Sequence, residues 1–528
     1  MRSGHSGILA FAGAARAIRR SPAWRRWLLA AALGVLGIAG ALQPVAAQTL
    51  RIALREDVDT LDPTLSGSYV GRIVFAGMCD KLFDYDTKLN IVPQLATGYN
   101  YKDPTHLILH LRSGVKFQDG ETFDASAVKY TLMRDLTMKG SLRKGQINDI
   151  TAINVVDPLT VEIVLKQPDS PLLAQLAGRP GIMLAPKVAE KEGAKFGLHP
   201  VCAGPFSFVE RVPQQKIVLQ RFPGYWNAKA IHFDRVEYLP IVNSAVRLEN
   251  LQAGSVDLVE YIAATDIPTV QKDPKLKLAI GGGLGYQGIT INTNRAPASK
   301  TPFGEDARIR QAFDLAIDRA ALIKVVYNGL YPPIAQANPP SSPFYVPQVQ
   351  PAPRNIAAAR KLIAATGVKT PIEVQLMVPN TPDILQAAQV IQAMVQPAGF
   401  DVKIQAMEFA SSLAAAHAGN FQAFLIMWSG RADADGNMYS FLHTGYGFNF
   451  GGFSNPEVDK LLDEARVPND VAKRRALYAK VWQIERKQLP IIYLWGQKNI
   501  VGMRKNVKGF RQVPDGLIRL QGMSLGKD

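Results

Sequence analysis

Strands and helices alternate along the second half of the chain, and this alternation constrains the fold more than any other sequence feature. Helical patterns such as "NIAAARKLIAATG" and "ILQAAQVIQAMVQPAG" stand beside the strand-like segments "IEVQLMVP", "FDVKIQAM" and "FQAFLIMW". Such alternation is typical of a mostly parallel sheet covered by helices. The first half is richer in strands and includes a predicted hairpin around Asp157–Pro158. Because 528 residues exceed what one hydrophobic core can use, we predict an α/β protein with more than one core.

Residues 1–47 have the layout of a secretory signal peptide. Six arginines and no acidic residue precede "WLLAAALGVLGIAGAL", an apolar stretch of 16 residues. A membrane anchor is the alternative, but a spanning helix needs about 20 residues. Val45 and Ala47 are small residues at the −3 and −1 positions of a cut before Gln48. We therefore predict export to the periplasm with cleavage near Ala47–Gln48, by the general secretory or the twin-arginine route.

Positive charge exceeds negative charge but is spread along the chain. The net charge is +16 with histidine neutral, and six of the basic residues leave with the signal peptide. No long Lys/Arg block and no interleaved aromatic residues are present, so nucleic acid is not an expected partner. A diffuse positive surface instead attracts small anions.

Three motifs that often mark enzymes or metal sites lack the context that their chemistry needs. "GLGYQG" at 283–288 is followed by the strand-like "ITIN" and not by the helix of a dinucleotide site, so we expect strands whose backbones approach closely there. His106 and His110 alternate on a predicted strand, about 13 Å apart, which is too far for one metal ion. "DADGN" lacks the spacing of a calcium loop, and no nucleophile–histidine pairing is recognisable. We predict no enzyme, metal or cofactor; an exported hydrolase and a metal or haem carrier are the weaker alternatives.

Several segments resemble those of one protein family, in the same order along the chain. They are "FQDGETFDASAVKYTLMR", "CAGPFSF", "RFPGYWNAKAIHFDRVEY", "IRQAFDLAIDRAALIKVVYNGL", "NFGGFSNPEVDKLLDEAR" and "LPIIYLWGQKNIVGMRKNVKGF". This set is similar to the family 5 extracytoplasmic solute-binding proteins of ABC importers, which handle peptides, nickel, opines and related solutes. The resemblance extends over nearly the whole of the predicted mature chain.

The resemblance implies a two-lobed α/β fold that encloses a ligand between its lobes. Such a protein would be a monomer that carries a peptide-like or other small solute to ABC permease subunits in the inner membrane. An anionic non-peptide solute, such as an opine or a sugar conjugate, is the alternative ligand. The implied boundaries are 48–84, 201–287 and 497–528 for lobe I, 85–200 for a subdomain inserted in lobe I, and 288–496 for lobe II.

The chain contains two cysteines, Cys79 and Cys202. An oxidising compartment favours a disulfide between them, and two buried thiols are the alternative. In the implied domain arrangement both cysteines lie in lobe I segments that flank the inserted subdomain. We therefore expect the bond Cys79–Cys202.

The segment "WSGRADADGN", residues 428–437, places charges directly after a buried strand. In peptide-binding members of the family, an acidic residue three positions after the tryptophan holds the amino terminus of the ligand. Trp428 fits that tryptophan, but Arg431 stands at the acidic position, so Asp433 or Asp435 would have to replace the acid.

Two roles are open for Arg431. It can pair with Asp433 as a structural bridge, or it can face the cleft and bind a carboxylate or phosphate, with Trp428 stacking on the ligand. The predicted ligand-binding residues are Trp428, Arg431, Asp433, Tyr69 and Tyr286.

Overall fold

The computed structural model describes residues 48–526. The predicted signal peptide, residues 1–47, lies outside the described residues. Within 48–526 no helix combines the length and the apolar character that crossing a membrane requires.

Most of the strands belong to one large mixed sheet. In chain order the strands are β1 (Thr49–Leu54), β2 (Phe83–Tyr85), β3 (Ile91–Pro93), β4 (Ala96–Asp103), β5 (His106–Leu111), β6 (Ile150–Asp157), β7 (Thr160–Leu165), β8 (Phe206–Val212), β9 (Lys216–Arg221), β10 (Arg235–Pro240), β11 (Leu258–Val259), β12 (Leu276–Ile291), β13 (Ile372–Pro379), β14 (Phe400–Met407), β15 (Ala423–Trp428), β16 (Ile491–Arg504), β17 (Val507–Lys508) and β18 (Ser524–Leu525). The ten-stranded sheet has the order β14-β13-β15-β12-β16-β11-β1-β10-β9-β8. Strands β13, β14 and β15 are parallel to one another, as the alternation in the sequence predicts.

Helices connect these strands and cover the sheet. In chain order they are α1 (Tyr69–Met78), α2 (Ala125–Thr137), α3 (Lys144–Ile147), α4 (Leu172–Leu176), α5 (Pro186–Glu192), α6 (Ser244–Ala253), α7 (Ile267–Lys272), α8 (Pro302–Glu305), α9 (Ala307–Ala316), α10 (Arg319–Tyr327), α11 (Ile356–Ala364), α12 (Pro382–Val395), α13 (Phe409–Ala418), α14 (Asp435–Leu442), α15 (Pro456–Arg466) and α16 (Val471–Gln488).

Two long neighbouring strands, β12 and β16, run antiparallel through the middle of the sheet. Their register is interrupted between Gly282 and Tyr286, and beyond this interruption β12 also pairs with β15. A Cβ atom added at Gly285 would lie 1.8 Å from the carbonyl oxygen of Trp428, so the side chain must be absent for the two backbones to meet. The predicted strand and its close backbone approach are therefore confirmed.

A second sheet is antiparallel, with the order β4-β5-β7-β6, and it packs with α2 around its own hydrophobic core. The hairpin predicted around Asp157–Pro158 joins β6 to β7. His106 and His110 lie on β5, as their alternation predicts. The boundaries that the sequence implies for the lobes and for the inserted subdomain stay predictions.

The disulfide Cys79–Cys202 is present, with 4.9 Å between the two Cα atoms. It joins the residue that caps the end of α1 to the segment that leads into β8. The expected pairing is thus confirmed, and it links positions that are 123 residues apart in the sequence.

Candidate ligand-binding site

The end of β15 is fixed by a set of hydrogen bonds to one buried amide. Trp428, the last residue of β15, lies opposite Tyr286 of β12. The side-chain oxygen of Asn437 accepts a hydrogen bond from the Trp428 indole at 2.9 Å and another from the backbone N–H of Arg431 at 2.8 Å. Between them, Gly430 has a φ of +77°, which favours glycine. This turn brings Arg431 back towards the Trp428 ring.

Arg431 is buried and faces an aromatic ring, not a carboxylate. Its guanidinium carbon lies 4.3 Å from the centroid of the Trp428 ring, and only 8% of the residue is exposed. Nη1 donates to the Gly430 carbonyl at 2.6 Å, whereas Nη2 is buried without a hydrogen-bond partner among the described residues. A buried donor without an acceptor destabilises the protein, because its hydrogen bonds to water are lost and not replaced. A ligand that supplies the acceptor would remove this cost.

The bridge between Arg431 and Asp433, one of the two roles open for Arg431, is not formed. Both carboxylate oxygens of Asp433 accept hydrogen bonds from Arg474, each at 2.7 Å. Asp435 is likewise bound by Arg466, at 2.7 and 2.9 Å. Both carboxylates therefore already have guanidinium partners, and a role for Asp433 in ligand binding stays a prediction.

A second buried arginine reaches the end of β15 from helix α1. Nη1 of Arg72 donates to the hydroxyl of Ser429 at 3.0 Å, and the same hydroxyl lies 3.4 Å from Nη1 of Arg431. Arg72 stands in the apolar segment "YVGRIVFAGM" and is 6% exposed. One hydroxyl thus holds two cations close together.

Two further arginines meet at one backbone carbonyl near the start of α1. Arg143 and Arg179 both donate to the carbonyl oxygen of Ser66. Arg143 is fully buried and Arg179 is 3% exposed. We refer to Arg72, Arg143, Arg179 and Arg431 as the arginine cluster.

The arginine cluster is short of negative charge. Within the described chain none of its members forms a salt bridge, whereas the buried Arg134 and Arg466 and the partly buried Arg519 each contact an aspartate at 2.6 to 2.7 Å. Burial lowers the pKa of every member, and the neighbouring guanidinium groups lower the pKa of Arg179 and Arg431 further. The pKa of Arg143 falls to about 10, although Asp135 and Asp59 act against this shift. Buried cations of one sign are costly unless an anion joins them.

An aromatic cavity opens beside Trp428 and Ser429. Its lining includes Gly67, Tyr69, Tyr286, Phe409, Met427, Trp428, Phe441 and Phe448. Three of the predicted ligand-binding residues, Trp428, Tyr69 and Tyr286, are therefore brought together around one space. The hydroxyl of Tyr69 donates to the carbonyl of Gly516 at 2.8 Å, so a ligand would find its ring or an acceptor lone pair, not the O–H donor.

A second cavity adjoins the aromatic one, because Phe409 and Met427 line both. Its other lining residues include Arg55, Glu56, Tyr261, Gln287, Tyr331, Asp383 and Trp495.

Sequence reasoning missed Glu56 and three of the four clustered arginines. A lone arginine in the apolar helix α1 was the one local signal that could have pointed to Arg72.

Across residues 48–526, no three His, Cys, Asp or Glu side chains are arranged so that they could hold a metal ion.

Comparison with known proteins places these features in context. Residues 90–449 match the model for the middle region of the bacterial extracellular solute-binding proteins, family 5. The glutathione-binding protein GsiB of Salmonella paratyphi A is 30% identical over 505 residues, which are 93% of this chain and 96% of that protein.

Solved structures resemble the whole described fold. The PBP AgaA of A. tumefaciens R10, in complex with agropinic acid, has a TM-score of 0.83 at 26% identity and covers 91% of this chain and 99% of its own. The periplasmic binding protein DppA of Helicobacter pylori, in complex with the peptide STSA, has a TM-score of 0.82 at 24% identity, over 91% of this chain and 98% of its own. These likenesses confirm the predicted two-lobed α/β fold.

Proposed function

Because the chain belongs to the bacterial extracellular solute-binding proteins of family 5, we propose that it captures a small solute with carboxylate groups and delivers it to an ABC importer. The arginine cluster would bind the carboxylates, and the aromatic cavity would hold the apolar part of the ligand. Peptide-like solutes with acidic groups are the class that fits best.

The observation that carries this proposal is that, within residues 48–526, none of the four buried guanidinium groups contacts a carboxylate in a salt bridge. An arginine binds a carboxylate through two parallel N–H donors, a geometry that a lysine cannot match. Arg431 has a buried Nη2 without an acceptor, and Arg143 and Arg179 each have a buried Nε in the same condition within the described chain. An anionic ligand would supply the acceptors that these donors lack.

The related proteins support an acidic, amino-acid-derived ligand. Glutathione, which names the relatives at about 30% identity, is a tripeptide with two carboxylates and one amino group. Agropinic acid, bound in a structural relative, is also an acid. Neither compound is assigned to this chain; both share the chemistry that the arginine cluster requires.

The rest of the proposal follows from the family. The protein is exported to the periplasm, with residues 1–47 removed near Ala47–Gln48, and works as a monomer without covalent chemistry of its own. Lobe I comprises 48–84, 201–287 and 497–528, with 85–200 as its inserted subdomain, and lobe II comprises 288–496. The two lobes close over the ligand by a hinge motion. The closed, loaded form then docks on permease subunits in the inner membrane.

Calorimetric titration with glutathione tests the proposal. We expect binding by the wild type and an affinity roughly 10- to 100-fold lower for Arg431→Met, since a hydrogen bond between charged groups contributes about 1.5–3 kcal/mol. Arg511→Met is the matched control, because Arg511 is an exposed arginine outside the cluster.

Native mass spectrometry of protein purified without denaturation would show directly what the site retains. A co-purifying solute that lacks acidic groups, or equal affinities of Arg431→Met and Arg511→Met for glutathione, would contradict the proposal.

A further inference from the structure

Glu56 is a buried acidic residue that lines the second cavity. It is the second residue after β1 and is 6% exposed. Its Oε1 is fully buried and accepts no hydrogen bond from any residue in 48–526. Removing such a group from water is costly, so its retention needs a reason.

The neighbouring arginine is already bound elsewhere. Nε and Nη2 of Arg55 donate to the two oxygens of Glu260 at 2.8 and 2.9 Å. The guanidinium carbon of Arg55 also lies 3.9 Å from the centroid of the Tyr261 ring. Glu260 and Tyr261 therefore fix Arg55 in place, which leaves Oε1 of Glu56 without a donor.

The charges that face Glu56 are mostly negative. Arg55 attracts its carboxylate, whereas Glu260, Asp59 and Glu408 repel it. Burial is the largest cause of the shift, and together these effects raise the pKa of Glu56 to about 8. A cation bound beside Glu56 would favour its ionised form and so offset both the cost of burying that charge and the repulsion from the neighbouring carboxylates.

The walls of the second cavity suit an ammonium group. Besides Glu56 they present the carboxylate of Asp383, which accepts a hydrogen bond from the hydroxyl of Tyr261 at 3.0 Å. The aromatic rings of Tyr261, Tyr331 and Trp495 line the same space. Carboxylates and aromatic faces are the two protein groups that attract an ammonium ion at short range.

We propose that Glu56 and Asp383 bind a positively charged amino group of the same ligand whose carboxylates bind the arginine cluster. This inference rests on the proposed function and narrows its ligand class to zwitterions with an amino group at one end and carboxylates at the other. Phe409 and Met427 line both cavities, and Ser429, which accepts a hydrogen bond from Arg72, lines the aromatic one. A ligand that spans the two cavities would therefore extend from Glu56 towards the arginine cluster.

The assignment also accounts for Arg431 at the position where the sequence resemblance implies an acid. In this chain the amino group of the ligand would bind near the end of β1 instead of the end of β15. The end of β15 would bind a carboxylate. The ligand would thus lie with its charged ends exchanged relative to a peptide whose amino terminus is held beside the tryptophan.

Glutathione and N-acetylglutathione, in which the amino group is blocked, are the first pair of probes. We expect the wild type to bind glutathione at least 10-fold more tightly than the acetylated form. Glu56→Gln should lose this preference, whereas Arg431→Met should weaken both probes by a similar factor. If Glu56→Gln keeps the wild-type ratio, the inference is wrong even though glutathione binds.

A second probe works without glutathione. At about pH 9, where Glu56 is ionised, butylammonium chloride should raise the melting temperature of the wild type above that in sodium chloride of equal ionic strength. The rise should be absent in Glu56→Gln. No rise in the wild type would overturn the ammonium site. Failure of glutathione binding alone would count against the proposed function and leave this second result to decide the inference.

Discussion

Arg431 lies with its guanidinium carbon 4.3 Å from the centroid of the Trp428 ring, at the end of a buried strand. Asn437 holds both residues in this arrangement through its side-chain oxygen. The contacts that position the cation thus come from the protein itself, which reduces the ordering cost of binding.

The ligand-free protein should not need the charge of Arg431. Since Arg72, Arg179 and Arg143 all disfavour that charge, we expect Arg431→Met to leave the melting temperature of the ligand-free protein unchanged or to raise it. Differential scanning calorimetry of protein stripped of ligand measures this. A clear fall would show that Arg431 stabilises the fold itself.

Arg466 should behave in the opposite way. It is 1% exposed and binds Asp435 through two hydrogen bonds. Arg466→Met leaves a buried carboxylate without its partner, so we expect the free energy of unfolding to fall by about 3–5 kcal/mol. Urea denaturation measures the loss. The double variant Arg466→Met/Asp435→Asn should lose less than the single one, and an equal or larger loss would contradict this explanation.

Gly285 and Gly282 offer a matched pair within β12. A Cβ at Gly285 would lie 1.8 Å from the Trp428 carbonyl oxygen, whereas a Cβ at Gly282 would meet nothing within 4 Å. We expect Gly285→Ala to lose at least about 2 kcal/mol of stability and Gly282→Ala to change it little. Chemical denaturation of both variants checks this. Similar losses at the two positions would argue against the close contact of β12 with β15.

Loss of the disulfide should destabilise the protein strongly. Its cysteines are 123 residues apart, and the chain-entropy model gives a loss of about 4–5 kcal/mol for a loop of that size. We expect this loss in the double variant Cys79→Ser/Cys202→Ser, measured by urea denaturation. Dithiothreitol should lower the stability of the wild type towards that of the variant and leave the variant itself unaffected.

Glu56 should make stability depend on pH. Its pKa is about 8 in the folded protein and 4.5 in the reference state, so the folded form binds more protons between these values and the free energy of unfolding falls as pH rises from about 4.5 to about 8. The free energy of unfolding of Glu56→Gln should fall less over this pH range. The variant should therefore become more stable relative to the wild type as pH rises. Some decrease will persist, because burial also raises the pKa of Asp80, Asp135 and Asp169. Parallel stability curves for wild type and variant would contradict the assignment.

The fold could be predicted largely because its signals are local. Alternating helices and strands in the second half indicated the parallel strands β13, β14 and β15. The strand-like "ITIN" after "GLGYQG" placed that motif in β12, where a strand stands in place of the helix that a dinucleotide motif needs. The cysteine pairing needed more than the local pattern, since it followed from the family resemblance.

The binding site could be predicted only in part because its charges come from distant positions. Arg72, Arg143 and Arg179 share no spacing in the sequence and meet only in the folded chain. The partner of Asp433 is Arg474, 41 residues away, and not Arg431, two residues away. Proximity in sequence suggested the wrong pair. After β15 the side chain of Arg431 lies against the Trp428 ring, whereas that of Asp433 binds Arg474.

Each end of the cleft has its own indole ring: Trp428 lines the cavity near the arginines and Trp495 lines the one near Glu56. Two of the six tryptophans in the sequence therefore lie at the charged ends of the proposed ligand, one at each end. A Phe substitution at either tryptophan would remove the emission of that ring alone, so the difference from the wild type would report on one end of the ligand. Stopped-flow emission from the two single-substitution proteins would then show whether the carboxylate end or the amino end of a ligand docks first.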